Sequence, residues 1–177
     1  MRVISGKYKG KRFRPPSKFP SRPTTDMAKE GLFSILNAQM YFDKLDILDL
    51  FSGTGNISLE FLSRGVGSVI SLDKHPVSFR YQEKLAAELE ISHWHILRQN
   101  AMEYLKQCQQ KFDVIFADPP YSFERHLEIY ERVFENNLLV DDGVLIIEHS
   151  DRIQLSGVSH YKETRNYGGV CFSFYAL

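Results

Sequence analysis

The feature of this sequence that most restricts its fold is a regular alternation of short apolar runs with amphipathic stretches. Five β-strands are predicted from the apolar runs, at residues 45–50, 68–72, 94–97, 112–117 and 144–148. Helices are predicted before and between them, at about 26–39, 57–64, 76–89, 101–107 and 124–134. Strands separated by helices form right-handed βαβ units, so we predict an α/β fold whose parallel sheet is covered on both faces.

The last part of the chain departs from this alternation. Residues 158–164 and 170–175 predict a terminal β-hairpin around a turn at 165–169. The 177 residues contain no internal repeat and no linker that would separate two folded domains. We therefore predict a basic N-terminal arm at 1–22 and one folded domain at 23–177.

Composition argues against several classes of protein. The chain is 43% hydrophobic, which is enough to form a buried core. Two cysteines, Cys108 and Cys171, do not make a disulfide framework. The basic N-terminal residues lack the apolar run that export requires, and no stretch approaches the ~20 apolar residues that cross a bilayer. These features predict a cytoplasmic protein with no membrane partner.

The balance of 22 basic and 22 acidic residues hides a strong asymmetry. Eight of the basic residues and none of the acidic ones lie within 1–22, where Val3, Ile4, Tyr8 and Phe13 are interleaved with glycines. This pattern predicts a short cationic hairpin, with a solubilising tail as the alternative. Cations spaced along a ribbon can neutralise successive phosphates of RNA or DNA. We predict such contacts at Lys7, Lys9, Lys11, Arg12, Arg14 and Arg22.

Ligands of an open parallel sheet bind beyond the carboxyl ends of its strands, so the residues that follow each strand are the first candidates. Asp49 precedes Gly53 and Gly55 after the first strand. The glycines allow a ligand to approach the backbone, although a tight turn alone would also explain them. Ser58 breaks the G-x-G-x-x-G pattern of dinucleotide folds. A carboxylate in this place suits a cationic or amino-bearing ligand.

Two further strand ends carry polar side chains. Asp73 follows the second strand, where a carboxylate can accept both hydroxyls of a ribose; its alternative role is to cap the helix that begins at Pro76. Asn100 and Ala101 follow the third strand, where an amide can bind an adenine edge. For Asn100, too, a helix N-cap is the alternative.

The tetrapeptide Asp118-Pro119-Pro120-Tyr121 after the fourth strand is the most specific motif in the chain. The prolines fix the backbone, and the tyrosine offers a flat face for an unstacked base. An exocyclic amine of a nucleobase is a poor nucleophile because its lone pair is delocalised into the ring. Asp118 and a backbone carbonyl of the proline pair can accept the N–H groups of such an amine and favour a usable lone pair.

These motifs together resemble a known family. Asp-Leu-Phe-Ser-Gly-Thr-Gly at 49–55, combined with Asp-Pro-Pro-Tyr at 118–121, is similar to amino-methyltransferases that use S-adenosylmethionine. Ile-Ser-Gly-Lys-Tyr-Lys-Gly-Lys at 4–11, Arg-Pro-Thr-Thr-Asp at 22–26 and Leu-Ser-Arg-Gly at 62–65 are more narrowly similar to the RsmD family. Members of that family are bacterial 16S ribosomal RNA guanine-N2 methyltransferases. The match extends from the basic arm to the terminal hairpin.

The resemblance implies a Rossmann-like, seven-stranded methyltransferase fold with the last strand antiparallel. It implies that Asp118 to Tyr121 hold the target amine, while Asp73 binds the cofactor ribose. The other implied contacts to S-adenosylmethionine are Asp49, Phe51, Gly53, Gly55, Asn100 and Ala101. The implied product is S-adenosylhomocysteine, and the implied substrate is 16S rRNA in a largely assembled 30S subunit. Family members commonly carry Asp where this chain has Asn100.

Direct methyl transfer needs no metal, and we expect a metal-free monomer. His93 and His95 alternate around Trp94 but lack a third ligand, and His149 after the fifth strand is a weak candidate for contact with the substrate. Two other functions stay open. A DNA adenine-N6 methyltransferase would use the same loop, but 177 residues leave little room for a target-recognition region. A non-catalytic RNA-binding assembly factor would keep the arm without needing acids at three strand ends.

Overall fold

The computed structural model describes residues 1–16, 19 and 24–177. Its helices are α1 (Asp26–Gln39), α2 (Asn56–Ser63), α3 (Pro76–Glu88), α4 (Ala101–Gln107) and α5 (His126–Glu135). Its strands are β1 (Asp46–Leu50), β2 (Ser68–Leu72), β3 (Trp94–Leu97), β4 (Phe112–Ala117), β5 (Leu139–Ser150), β6 (Tyr161–Tyr167) and β7 (Val170–Ala176). Across the described ranges, no helix combines the length and the apolar composition needed to span a membrane.

The strands form one seven-stranded sheet in the order β3-β2-β1-β4-β5-β7-β6. The first five strands pair in parallel, and β7 runs antiparallel to both β5 and β6. This topology confirms the predicted α/β fold with a reversed last strand. The order of the strands reverses direction at β1 and β4, so the crevice expected in a doubly wound sheet lies beyond their carboxyl ends.

The predicted boundaries differ most from the structure in β5 and β6. Strand β5 begins at Leu139 rather than at residue 144, because Leu139 pairs with Phe112 across an irregularity in the ladder. The segment Asp141-Asp142-Gly143 has the composition of a turn and lies within that irregularity, yet it is part of the strand because the residues on both sides of it pair with β4. The terminal turn is confined to Gly168 and Gly169, whose φ angles of 64° and 90° suit a two-residue hairpin loop. Strand β6 therefore continues to residue 167.

The sheet separates two apolar layers, and successive residues of each strand enter opposite layers. Ile47 of β1 packs in the layer formed with α1, α2 and α3, whereas Leu48 packs with α4 and α5. Val114 and Phe116 of β4, like Val144 and Ile146 of β5, belong to the layer of Ile47. This alternation also decides which side chains share a face at the carboxyl ends of the strands.

The predicted N-terminal hairpin forms and is packed on the folded domain. Arg2 and Arg12 form an antiparallel bridge, and the backbone N–H of Val3 donates to the Lys11 carbonyl at 3.0 Å. Val3 and Tyr8 are buried in the α1–α3 layer. Gly6 lies so close to α2 that an added Cβ would be 1.8 Å from the carbonyl oxygen of Ser63. Residues 17, 18 and 20–23 lie outside the description, so the division at residue 22 stays a prediction.

A buried network of charged and polar groups fixes the hairpin to α1 and α2. The ammonium of Lys29 lies 3.4 Å from the carboxylate of Glu60, and both side chains are fully buried. Lys29 also donates to the Arg2 carbonyl and to the side-chain oxygen of Asn56. Glu60 accepts from the backbone N–H of Ile4 at 2.8 Å and from that of Ser5 at 3.0 Å, and it pairs with Arg64. The hairpin backbone is thus bound to the helix that follows the glycine turn.

Candidate active site

Three carboxylates lie on one face at the carboxyl ends of adjacent strands. Asp49 is in β1, Asp118 follows β4, and Glu148 is near the end of β5. All three continue the alternation that places Ile47 in the α1–α3 layer. Ala117 pairs with Ile147, so the next residues, Asp118 and Glu148, are neighbours across the sheet.

The environment of this acidic cluster (Asp49, Asp118 and Glu148) disfavours negative charge. Burial raises the pKa of Asp49 to about 7, although Ser58 donates to it through both its backbone N–H and its hydroxyl. Burial also raises the pKa of Glu148 to about 7, opposed by a hydrogen bond from Thr24 and reinforced by the charge of Asp49. The pKa of Asp118 is raised by burial and then by Glu148.

Within the described part of the chain, no ion pair includes a member of the acidic cluster. Nor do any three His, Cys, Asp or Glu side chains there lie close enough together to hold a metal ion. Buried carboxylates without a cationic partner are strong acceptors for N–H donors. The arrangement can therefore bind a ligand that carries amino groups.

The glycine turn after β1 has the backbone conformation that the sequence predicted. Gly53 and Gly55 have φ angles of 53° and 72°, and Phe51 also has a positive φ of 61°. An added Cβ on Gly55 would be 2.8 Å from the Trp94 ring, so a side chain does not fit there. Gly53 and Gly55 are buried, and the N–H and carbonyl of Gly53 are bonded to Asp73 and Gln82, so the turn is packed tightly beside Asp49.

Asp73 lies at the same edge of the sheet as this turn. One of its carboxylate oxygens accepts from the Gly53 N–H at 2.9 Å, and the other accepts from the His75 N–H at 2.7 Å. The carboxylate is half-buried and keeps lone pairs for a ligand. The structure therefore brings Asp49, Gly53, Gly55 and Asp73 together.

Asn100 has the N-cap role that was the alternative to adenine binding. Its side-chain oxygen accepts from the backbone N–H of Met102 at 2.9 Å and from that of Glu103 at 3.3 Å. Asn100 is exposed at the start of α4, next to the buried Ala101. An adenine contact by these two residues stays a prediction.

The loop from Asp118 to Tyr121 separates its two polar groups. The Asp118 side chain is half-buried, while Tyr121 is 94% exposed. The Phe123 N–H donates to the Pro120 carbonyl at 2.7 Å and closes the turn, and Pro119 is buried. Phe123 also packs edge-on against Phe51, with 5.3 Å between the ring centroids. This contact joins the loop to the glycine turn.

Sequence reasoning missed Glu148 and chose its neighbour. His149 lies on the opposite face of β5, where its ring is buried and its Nε2 is 2.7 Å from the Ser173 hydroxyl. This position, on the face opposite the acidic cluster, lends no support to a substrate contact by His149, which stays a prediction. The signal for Glu148 was the alternation of Val144 and Ile146 within β5, which puts residue 148 on the same face.

The family model "Conserved hypothetical protein 95" matches residues 1–176, and this is the family of the ribosomal RNA small subunit methyltransferases D. The chain belongs to the RsmD family. The match includes the hairpin, the glycine turn and the loop after β4.

Relatives in the RsmD family match over most of their length. The chain is 33% identical to the "Putative rRNA methyltransferase YlbH" of Bacillus subtilis (strain 168), covering 96% of each chain. It is 30% identical to the "Ribosomal RNA small subunit methyltransferase D" of Haemophilus influenzae, over 84% of this chain and 78% of the relative. A solved structure, "Putative methyltransferase yhhF from Escherichia coli", has a TM-score of 0.87 at 23% identity, covering 99% of this chain and 96% of the other. That structure confirms the fold.

The cations of this RsmD-family hairpin lie mainly on its exposed surface. Lys7, Lys9 and Lys11 are exposed, and the ammonium groups of Lys7 and Lys11 lie 5.2 and 5.4 Å from the centre of the Tyr8 ring. Arg12 and Arg14 line a shallow cavity of about 400 Å³ together with Thr24 and Asp26. Arg22, also predicted to bind RNA, lies outside the described residues. The basic surface reaches the acidic cluster through Thr24, which donates to Glu148 at 3.0 Å.

Proposed function

We propose that this protein transfers a methyl group from S-adenosylmethionine to the exocyclic N2 amine of a guanine in 16S rRNA. Membership of the RsmD family supports an enzyme that methylates ribosomal RNA. The observation that carries the assignment to the N2 amine is the half-buried Asp118 carboxylate in its Asp-Pro-Pro-Tyr loop, whose pKa is raised and which has no cation paired to it among the described residues. Such a group accepts hydrogen bonds from an amine.

The residues around the glycine turn fit this cofactor. The buried Asp49 lacks a cationic partner in the described chain, and the ammonium group of the methionine moiety would supply one. The tight turn at Gly53 and Gly55, with its positive φ angles, would run alongside that moiety, with Phe51 beside it. Asp73, fixed by the Gly53 N–H, is placed to accept the ribose hydroxyls. Asn100 and Ala101 would flank the adenine.

The chain itself supplies position and hydrogen bonding. Asp118 accepts one N–H of the target amine, and we assign the second acceptor to the Pro119 carbonyl, because the Pro120 oxygen already accepts from Phe123. Tyr121, which is exposed, stacks on the base. When bound, S-adenosylmethionine supplies a methyl carbon on a positively charged sulfur; the carbon–nitrogen bond forms as the carbon–sulfur bond breaks and S-adenosylhomocysteine is left. Asp118 or water takes the proton that the methylated nitrogen loses.

The exposed lysines of the hairpin would bind rRNA phosphates near the site. We propose 16S rRNA in an assembled 30S subunit as the substrate, and a monomer as the active form. No metal is needed, because alignment of the amine and the electrostatics of its acceptors supply the catalysis.

The test is methyl transfer from labelled S-adenosylmethionine to small ribosomal subunits that lack the modification, with duplex DNA in parallel and digestion of the product to nucleosides. We expect label in N2-methylguanosine. Asp118→Ala should lower the rate at least about a hundredfold because it removes an acceptor aligned with the reacting amine. The matched control is Asp142→Ala, an exposed carboxylate of β5, which should leave the rate unchanged.

Each alternative function has its own outcome in this assay. Label in N6-methyladenine from DNA would replace the proposal with a DNA methyltransferase. An enzyme that binds no S-adenosylmethionine would favour the non-catalytic assembly factor. Normal methylation by Asp118→Ala would overturn the proposed role of that carboxylate.

A further inference from the structure

The methyl-transfer chemistry proposed above does not use the third carboxylate of the acidic cluster. Glu148 lies beside Asp118 across the parallel pairing of β4 and β5, so the two side chains project from strands about 4.8 Å apart. Burial raises the pKa of Glu148 to about 7. A carboxylate in this position is costly unless something donates to it.

One donor to Glu148 comes from the chain itself and fixes the orientation of the carboxylate. The Thr24 hydroxyl donates to Oε2 at 3.0 Å. The Thr24 carbonyl in turn accepts from the side-chain NH₂ of Asn56 at 3.3 Å, and Asn56 is held by the buried Lys29. With Oε2 held in this way, Oε1 keeps its full acceptor capacity for a ligand.

A guanine presents two kinds of donor side by side, the N2 amine and the ring N1–H. Two neighbouring carboxylates match that edge. We propose that Glu148 is a specificity-determining residue that accepts the N1–H of the target guanine while Asp118 accepts from its N2 amine. This inference rests on the proposed function and adds the means of base selection.

The same pairing rejects adenine. The N1 of adenine carries no proton, so its lone pair would face the Glu148 carboxylate, and two acceptors repel each other. A site whose buried polar group is left unpaired by the wrong substrate discriminates much more strongly than an apolar pocket does. Glu148 thereby distinguishes guanine from the base that the same Asp-Pro-Pro-Tyr chemistry would otherwise accept.

The first test compares wild-type enzyme with Glu148→Gln on small subunits that lack the modification. We expect kcat/KM for N2-methylguanosine formation to fall about tenfold to a hundredfold, the range for loss of a hydrogen bond to a charged group. Glu131→Gln, an exposed glutamate of α5, is the matched control and should behave like wild type. S-adenosylmethionine affinity should be unchanged in both variants, and Glu148→Gln should be at least as stable to thermal unfolding as wild type, which separates base recognition from a structural role.

The second test removes the N1–H from the substrate. The position methylated by the wild-type enzyme is mapped first, and small subunits are then reconstituted with 2-aminopurine ribonucleoside at that position, which keeps the amine but has no proton on N1. Wild type should prefer guanosine over 2-aminopurine by at least about tenfold, and Glu148→Gln should reduce that preference to about threefold or less. Thr24→Val, which removes only the orienting hydroxyl, should give an intermediate preference and serves as the test if Glu148→Gln does not fold.

The outcomes separate this inference from the proposed function. Wild-type enzyme that forms no N2-methylguanosine would overturn both. Normal wild-type activity with an unchanged preference in Glu148→Gln and Thr24→Val would overturn the inference alone. A Glu148→Gln variant that folds but loses affinity for S-adenosylmethionine would move Glu148 to the cofactor site and also overturn it.

Discussion

Two groups of charged side chains in this molecule differ in whether they have oppositely charged partners. In the network under the hairpin, Lys29 and Glu60 are fully buried and paired, and Arg64 and two backbone N–H groups complete the partners of Glu60. In the acidic cluster at the strand ends, Asp49, Asp118 and Glu148 are close to one another, and no cation of the described chain pairs with them. The first group is complete without a ligand, whereas the second is not.

The difference between the two groups indicates which charges serve the fold and which serve function. A buried ion pair with all its hydrogen bonds made holds the elements that carry it, here the hairpin, α1 and α2. Like charges that burial forces together are retained only at a cost to stability, and such sites are typical of ligand binding and catalysis. The comparison therefore predicts that removing a charge has opposite effects on stability in the two groups.

The largest effect on stability is expected from Lys29→Met. The substitution leaves the buried Glu60 without its lysine, which should lower the free energy of unfolding by about 3–5 kcal/mol. Denaturant unfolding monitored by circular dichroism measures it. Lys84→Met, which breaks an exposed pair with Glu88, is the control and should cost less than about 1 kcal/mol. Equal losses of unfolding free energy in the two variants would contradict the view that the buried Lys29–Glu60 pair stabilises the fold.

Asp49→Asn is expected to raise the free energy of unfolding, by less than Lys29→Met lowers it, and the gain depends on pH. Because burial raises the pKa of Asp49 from 3.8 to about 7, its protonated form is favoured in the folded state. Its contribution to stability is therefore present below about pH 4 and is lost as the pH rises to about 7. Relative to wild type, Asp49→Asn should gain about 1–3 kcal/mol between pH 4 and pH 8.

Denaturant unfolding across that pH range, without S-adenosylmethionine, measures the effect of Asp49→Asn. The exposed Asp142→Asn provides the control curve. A difference from wild type that stays flat with pH would contradict the interpretation of Asp49 as an uncompensated buried acid.

The smallest expected effect is on RNA binding, through the exposed cations of the hairpin. Replacement of Lys7, Lys9 and Lys11 by Gln should weaken RNA binding and reduce the slope of log affinity against log salt by about 2, with stability and S-adenosylmethionine affinity retained. Substitution is sharper than deletion of the hairpin, because deletion would also remove the buried Val3 and Tyr8. The matched control replaces three exposed lysines outside the hairpin, Lys84, Lys106 and Lys111. Equal salt slopes for the two triple variants would remove the hairpin from the RNA interface.

Local sequence patterns were sufficient for much of the fold. The bounds of β2, β3, β4 and α4 agree with the prediction residue for residue. Short apolar runs and helix caps are set by neighbours in the chain, so they can be read without the tertiary structure. The same is true of Asp73 and Asp118, since each directly follows an apolar run, and of Asp49, which lies near the end of the first run.

Other features depended on partners distant in the chain. The early start of β5 comes from its pairing with β4, against a local composition that favours a turn. The hairpin is held by Glu60, which is 56 residues away from Ile4 in the sequence. No pattern within the first 22 residues predicts that contact.

The sequence by itself determined a parallel α/β sheet with acids at its strand ends, a basic hairpin and membership of a methyltransferase family. Only the tertiary structure decided that Glu148 stands beside Asp118 and His149 does not. The physical reason is that the hydrophobic periodicity of an element and the caps of a helix depend on residues close together in the chain. The neighbours of a side chain at a strand end depend instead on strand order and register. Those are fixed by pairing between β4 and β5, whose residues are about 30 positions apart.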